Sequence, residues 1–456
     1  MKFQIKSVNA RLFAYFCGLS FFGSLMFMLP FLYKSGKSMA YIDSLFTAIS
    51  AVCVTGLCTI DMELFNNAGL FVLLLLIETG GLGLVTFFSL YLVFPSQKIS
   101  LVNRRILREY FIYGDDLNVW LILLKILGIT FGCQAAGGLV LGLILRNSGE
   151  DNWFFYGFFL AVSSFCNAGF SPYSESLKEF SGNNLFLSVV AILIILGGLG
   201  FSVITSTFRW LWNKILWIFS KNHFNNHRAH RFLSLHTKIV LWMTLILTLG
   251  GTVLTLAIEW ERSFSGMKIG QKIANAFFQS VTLRTAGFEA VSQGQLSKPT
   301  LFSSLFLMLC GGSPGSMAGG LKTTTLFLVL CFTFRNSCDK DELTVFKKDI
   351  SWETMDKASA IFAKGMCLLA LCTFALCLAE TNSGFSIFEL CFESISAFCT
   401  VGLSVGITSQ LSIAGKIVVM ITMILGRTGV FAMSIGICRR KMLSLSDYPR
   451  EDVLVG

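Results

Sequence analysis

SAFCTVGL, residues 396 to 403, is the stretch around which the rest of the chain is organised. Small and apolar residues lead into Thr400-Val401-Gly402, with apolar segments on either side at 385–395 and 411–437. One such octapeptide means little, because a glycine among small residues is an ordinary packing device in membrane helices. Three related copies lie elsewhere in the chain: Ser50-Ala51-Val52-Cys53-Val54-Thr55-Gly56-Leu57, Ser163-Ser164-Phe165-Cys166-Asn167-Ala168-Gly169-Phe170 and Val281-Thr282-Leu283-Arg284-Thr285-Ala286-Gly287-Phe288. The glycines Gly56, Gly169, Gly287 and Gly402 stand 113, 118 and 115 residues apart, and a phenylalanine precedes each by ten positions, at Phe46, Phe159, Phe277 and Phe392. Downstream, Gly80-Gly81, Gly197-Gly198, Gly311-Gly312 and Gly426-Arg427 begin 24, 28, 24 and 24 residues after those glycines. A recurrence this regular predicts four structural repeats.

Of the 456 residues, 54% are hydrophobic and 14% charged, with a mean hydropathy of +0.70. Soluble chains carry about 25% charged residues, and several apolar runs here exceed the ~20 residues that a helix needs to cross a bilayer. An all-α polytopic membrane protein is expected. The net charge of +10 raises the question of nucleic acid. The basic residues, however, sit at the ends of apolar runs and form no basic patch, so no nucleic-acid partner is expected. The 14 cysteines form no CxxC pair and lie mostly within apolar runs, as at Cys367, Cys372 and Cys377. They read as reduced, buried residues. The opening apolar run 12–33 is too long for a signal peptide and lacks a small-residue cleavage site, so it predicts a first span.

Each copy reads as a long apolar helix, a shorter apolar segment ending near the glycine, and a second long helix. Repeat one covers 12–94, with spans at 12–33 and 68–94 and a half-span at 40–52. Repeat two covers 118–212, with segments 118–145, 153–165 and 184–208. Repeat three covers 239–334, with 239–260, 270–283 and 300–334. Repeat four covers 358–437, with 358–380, 385–398 and 411–437, and a tail follows at 438–456. The middle segments are too short to cross and suit re-entrant helices. Eight transmembrane helices and four re-entrant pore helices around a central ion pore follow, in a single transport domain. Lys2, Lys6, Arg11, Lys98, Arg104, Arg105, Arg108, Arg209, Lys214, Lys221, Arg228, Arg231, Lys238, the run 335–357 and Arg439-Arg440-Lys441 collect on one side. The opposite loops carry Asp43, Glu150, Asp151, Glu175, Glu179, Glu259, Glu261 and Glu289. The positive-inside bias makes both termini cytoplasmic in the cell membrane.

A half-span running inward puts the negative end of its dipole at mid-membrane, where four such ends favour a cation. The residues that follow are Val54-Thr55-Gly56, Asn167-Ala168-Gly169, Thr285-Ala286-Gly287 and Thr400-Val401-Gly402. Extended backbone is tolerated at that depth only where it lines a wet cavity. Glycine admits angles that let successive carbonyls point inward. Thr-Val-Gly is also the core of the potassium-channel filter, whose carbonyls replace the ion's hydration shell. With carbonyls as ligands the side chains are free to differ between copies, as Thr55, Ala168, Ala286 and Val401 do.

Over essentially its whole length the chain resembles the Trk/Ktr/HKT superfamily of potassium transporters, and within it the KtrB-type membrane subunit. The most specific piece of likeness is Gly311-Gly312-Ser313-Pro314-Gly315-Ser316-Met317-Ala318-Gly319-Gly320-Leu321-Lys322-Thr323-Thr324. The resemblance implies a flexible gating loop beneath the filter, interrupting the second helix of the third repeat. Five glycines and a proline are indeed poor material for a regular helix. Met317 departs from the family's threonine. Arg427 matches a family arginine in the permeation path below the filter; the other reading pairs it with carbonyls of the gate. Tyr448 to Gly456 resembles a terminus that inserts at the interface of two membrane subunits. The resemblance therefore implies a homodimer, seated on a cytosolic ring of nucleotide-binding KtrA- or TrkA-like regulatory subunits. No GxGxxG follows a strand in this chain, so no nucleotide site is expected on it. The basic loops 96–116 and 209–238 are candidate contacts for that partner, although positive-inside bias alone explains them.

Potassium ion is the expected cargo, drawn inward by ~2.3 kcal/mol per charge at a potential of 100 mV. The resemblance links serine at the first filter glycine with sodium transport, so Gly56 favours potassium; a Na+-permeable or Na+-coupled transporter is the alternative. Glu78 reads as a pore-lining cation ligand or as a hydrogen-bond acceptor, and Arg284 as a group behind the filter that ties down backbone or an acidic side chain. His223, His227, His230 and His236 fall in one loop without acidic or cysteine ligands nearby, and a metal site there is not expected. A membrane enzyme would need convergent catalytic groups within the spans, and none is found. An alternating-access carrier more typically shows inverted repeats, whereas these copies are parallel.

Overall fold

The computed structural model of the chain describes residues 8–34, 37–93, 119–219, 233–334 and 343–436. Its first seven helices are α1 (Val8–Phe27), α2 (Tyr41–Val52), α3 (Asn67–Val93), α4 (Val119–Asn147), α5 (Trp153–Cys166), α6 (Asn184–Leu199) and α7 (Phe201–Phe219). Then come α8 (Leu235–Glu259), α9 (Ile269–Thr282), α10 (Lys298–Leu309), α11 (Thr323–Thr333), α12 (Trp352–Ala379), α13 (Ile387–Phe398) and α14 (Ile413–Gly436). One hairpin breaks the helical pattern, β1 (Leu343–Val345) with β2 (Lys348–Ile350), which corrects the all-α expectation. It turns through Phe346 and Lys347 at φ 50° and 61°, the positive angles that match the twist of the flanking strands.

Among the described residues, α4, α8 and α12 are long and apolar enough to cross a membrane, by length and composition. Helices α6 and α7 pass the same test together but are bent by 107°. The sequence reads 184–208 as one straight span; the chain breaks instead at Gly200, whose φ of +85° belongs to no right-handed helix. The segment 300–334 is likewise divided into α10 and α11, with the non-helical stretch 310–322 between them. Loop 96–116, the tail 438–456 and His223, His227 and His230 lie outside the described residues.

Two of the long helices, α8 and α12, are pinned at one end by carboxylates. Glu259, the last residue of α8, accepts from the N–H of Ser297 at 2.9 Å and from the hydroxyls of Ser297 and Thr300 at 2.6 and 2.5 Å, just where α10 begins. Glu380, after α12, accepts from the N–H and hydroxyl of Ser412 at 2.8 and 2.7 Å, where α14 begins. Negative groups at helix N-termini satisfy otherwise orphaned donors and suit the dipole. Ser386 and Glu389 form a reciprocal capping box that starts α13. Inside this frame sit the C-terminal ends of α2, α5, α9 and α13, which are buried throughout. Phe46, Phe159 and Phe392 fill the core beneath them. In the third copy the fully buried ring is Phe278, while Phe277 is only half-buried, so the ten-residue spacing shortens there to nine.

Candidate functional site

The four glycine segments meet. A side chain built on Gly56 would strike the Ala168 carbonyl and Gly169, and one on Gly169 the Ala286 carbonyl and Gly287. One on Gly287 would strike the Val401 carbonyl and Gly402, and one on Gly402 the Thr55 carbonyl and Gly56. The contacts close a ring of four in chain order. Each glycine has positive φ, at 95°, 72°, 79° and 92°, and so does the residue two before it: Val54 at 56°, Asn167 at 59°, Thr285 at 70° and Thr400 at 51°. For β-branched Val54, Thr285 and Thr400 this is a strained conformation that only a determining surround maintains. Asn167 tolerates it better, and its amide nitrogen, turned toward two carbonyls, donates to Ile194 and Ser164 at 3.2 and 2.9 Å.

The surround is visible. In three copies the residue before the glycine donates its N–H back into the short helix at 2.8 Å, Thr55 to Ser50, Ala168 to Ser163 and Val401 to Ser396. In the third copy Ala286 donates to Thr282 at 2.9 Å, a turn one residue tighter and the backbone counterpart of the shift to Phe278. The same four positions carry hydroxyls that fasten the far side of the glycine. Ser50 and Ser396 accept from the N–H of Gly56 and Gly402 at 3.1 Å. Ser163 and Thr282 donate to the carbonyls of Phe170 and Phe288 at 2.8 Å. Sequence reading passed over these hydroxyls, although a hydroxyl five or six residues before each glycine was there to be seen.

The downstream glycines brace the ring from behind. A side chain on Gly80, Gly197 or Gly426 would overlap the carbonyl of Val52, Phe165 or Phe398, each at the end of a short helix. The following long helix therefore touches the backbone of the short one. Gly311 has no such contact and faces the Gly319 carbonyl within its own segment.

That segment, 310–322, touches residues of the first, second and fourth repeats. Cys310 and Leu321 pair as a bridge, with Gly311 N–H to Leu321 O at 2.9 Å. Gly319 is packed against the Thr400 hydroxyl, so closely that a side chain there would overlap it. Ser313 donates its N–H to Gly198 O at 3.0 Å and its hydroxyl to Leu199 O, and Ser316 donates its hydroxyl to Ser313 O at 2.7 Å. Pro314 and Gly315 complete the turn against Gly200. Met317 donates its N–H to Gly197 O at 3.1 Å, and its side chain is buried with Leu82, Ile126, Phe165 and Phe201. Two cations hold the carbonyls that follow: Arg427 donates to Met317 O at 2.7 Å, and Lys322 to Ala318 O at 2.7 Å. Arg427 also reaches Gly80 O at 3.4 Å. Gly312 O accepts from Thr323 N–H at 3.1 Å, and Gly320, at φ 65°, turns the chain into α11.

The remaining charges lie around the ring. Glu78 accepts from Gln134 at 2.8 Å and from the Cys166 thiol at 3.3 Å, which places it behind the second glycine turn. Arg284 is buried behind the third, in a small cavity lined by Ile194, Gly198, Thr244 and Gly312. In the loop after the third glycine, burial pushes the Glu289 carboxyl up to about 7, with Lys178 and the Ser404 N–H drawing it down and Glu393 adding to the rise. Glu393 itself accepts the hydroxyls of Ser404, at 2.8 Å, and Thr408. Lys416 and Asp43 join the fourth copy to the first at 2.8 Å.

The TrkH family model, described as a cation transport protein, matches residues 10–445. The chain is 36% identical over 445 residues to the potassium/sodium uptake protein NtpJ of Enterococcus hirae, covering 96% of this chain and 95% of that one. It is 33% identical over 445 residues to the Ktr system potassium uptake protein B of Vibrio alginolyticus, covering 97% and 93%. Among solved structures, the potassium transporter TrkH of Vibrio parahaemolyticus shares the fold, with a TM-score of 0.69 over 96% of this chain and 86% of that one, at 17% identity. A helical chain, matched over nearly its whole length and carrying four glycine turns in a closed ring, belongs to the TrkH family of cation transport proteins.

Proposed function

We propose that this chain is the ion-translocating subunit of a potassium uptake system in the cytoplasmic membrane. In this reading repeats 12–94, 118–212, 239–334 and 358–437 form eight spans and four re-entrant helices around one pore, with both termini in the cytoplasm. Potassium sheds its water into carbonyl rings of Val54-Thr55-Gly56, Asn167-Ala168-Gly169, Thr285-Ala286-Gly287 and Thr400-Val401-Gly402. Segment 310–322, held by Arg427 and Lys322, is the gate below. The observation that carries the reading is the closed ring of glycines, each with positive φ at itself and two residues before. Alternating handedness of this kind turns successive carbonyls to one side, which a helix or a strand does not do.

The names of the relatives add the cargo and its company. The Vibrio alginolyticus relative is named as a protein of a Ktr system, which supports a partner component; the homodimer and the cytosolic nucleotide-binding ring, with any nucleotide site on that partner, rest on the resemblance of the sequence motifs. The Enterococcus hirae relative is named for potassium and sodium, which supports Na+ as a second permeant or coupled ion. The test is growth of uptake-deficient cells on limiting potassium, expressing the chain with and without the partner. The unaltered pair restores growth. Gly56→Ser and Gly402→Ser each abolish rescue or make it sodium-permeable, because the added atoms overlap a neighbouring strand's backbone. Full potassium rescue by both variants overturns the carbonyl filter.

A further inference from the structure

Helix α7 starts against segment 310–322. Phe201 N–H donates to Gly315 O at 3.3 Å, immediately beyond the hinge at Gly200 and next to the bonds from Ser313 and Met317 to residues 197–199. About one and a half turns later the Ser206 and Thr237 hydroxyls meet at 3.0 Å. Thr237 lies at the start of α8, a helix about 37 Å long whose other end, at Glu259, caps α10. So α7 descends from the gate to the face of the molecule opposite that cap.

Beyond Ser206 the helix presents a mixed surface. Phe208, Leu211, Trp212 and Ile215, spaced i, i+3, i+4 and i+7 on one stripe, are 66%, 45%, 54% and 45% exposed. The Phe208 and Trp212 rings stack along it. Arg209 and Lys214 are exposed beside the stripe, and Lys214 lies 5.0 Å over the Trp210 ring. Apolar and tryptophan side chains flanked by cations suit the boundary between acyl chains and anionic headgroups.

We propose that α7 lies along the inner membrane surface bound to anionic phospholipid, and that this anchorage holds the Gly200 hinge and the gate segment in the engaged arrangement. The proposal rests on the cytoplasmic placement of the Leu235 end of α8 in the reading above. The full chain is reconstituted in phosphatidylcholine vesicles with or without phosphatidylglycerol. Tryptophan quenching by brominated phosphatidylglycerol or brominated phosphatidylcholine reports the lipid contact, and rubidium influx reports the gate. Brominated phosphatidylglycerol quenches preferentially in the unaltered chain, and the preference falls roughly fivefold for each cation removed in R209Q/K214Q. The charge-keeping R209K/K214R retains it, which separates lost charge from lost folding. Rubidium influx is severalfold higher in neutral vesicles, and in R209Q/K214Q it no longer responds to phosphatidylglycerol. An unchanged quenching preference in R209Q/K214Q overturns the proposal, and so does influx in the unaltered chain that ignores phosphatidylglycerol. Absence of influx in every vesicle overturns the permeation reading instead, and the quenching comparison still decides the lipid contact.

Discussion

Gly426 and Gly311 stand at the same distance from their ring glycines and are put to opposite uses. At Gly426 the missing side chain lets α14 continue unbroken against the Phe398 carbonyl, as Gly80 does for α3 against Val52, whereas Gly197 makes the same contact with Phe165 three residues before α6 gives way at Gly200. At Gly311 the helix stops, and the chain folds back on Gly319 and Leu321. Three copies therefore spend the position on close packing of the long helix against the short one, and the third spends it on the non-helical segment 310–322. That third copy is also the one with the tighter turn and the buried ring at Phe278.

The contrast breaks most readily at the glycines themselves. In Gly426→Ala the added methyl meets backbone that cannot yield, and overpacking of this kind costs about 1–3 kcal/mol or more. The expected outcome is a large loss of folded protein by size-exclusion chromatography and a lowered unfolding temperature. Gly311→Ala disturbs only the segment, so it keeps the fold and raises rubidium influx. If both variants unfold alike, the assignment of separate uses fails. A smaller effect is expected at Arg427→Gln, which removes a charge-assisted bond to Met317 O. Bonds to charged groups contribute about 1.5–3 kcal/mol, so influx through the resting protein rises by roughly ten- to a hundredfold, and influx no different from the parent would show that the arginine does not hold the segment. A narrower effect, confined to one pH range, lies where the third and fourth copies join through Glu289 and Ser404. The folded chain keeps the Glu289 proton up to about 7. The unfolded chain releases it in the ordinary carboxylate range. The folded state thus binds more protons between those limits, and stability falls as pH rises through them, by about 1.4 kcal/mol for each unit between the two pKa values. Glu289→Gln flattens that slope in thermal unfolding curves; an equal slope in both proteins locates the titration elsewhere.

The meeting of the four glycines was legible in the sequence because few residues other than glycine suit those angles and contacts, so its spacing survives when side chains change. Segment 310–322 was legible for a related reason: five glycines and a proline do not sustain a helix. What escaped reading depends on tertiary support. Val54, Thr285 and Thr400 are β-branched residues whose local preference argues against positive φ, and only the hydroxyl and backbone clamps around them impose it. The bend at Gly200 was hidden inside an apolar run whose hydropathy suits a straight span equally well. Phe277 and Phe278 are adjacent identical residues, so a one-residue shift leaves no mark on composition.

Because all four walls of the ring come from one polypeptide, a single codon change remodels one wall and leaves the other three as they were. An assembly of identical subunits has no such freedom, since symmetry repeats every substitution in each copy. If the ring is the filter proposed above, ion preference can be adjusted a quarter at a time, and Thr55, Ala168, Ala286 and Val401 already make four unlike neighbours of equivalent glycines.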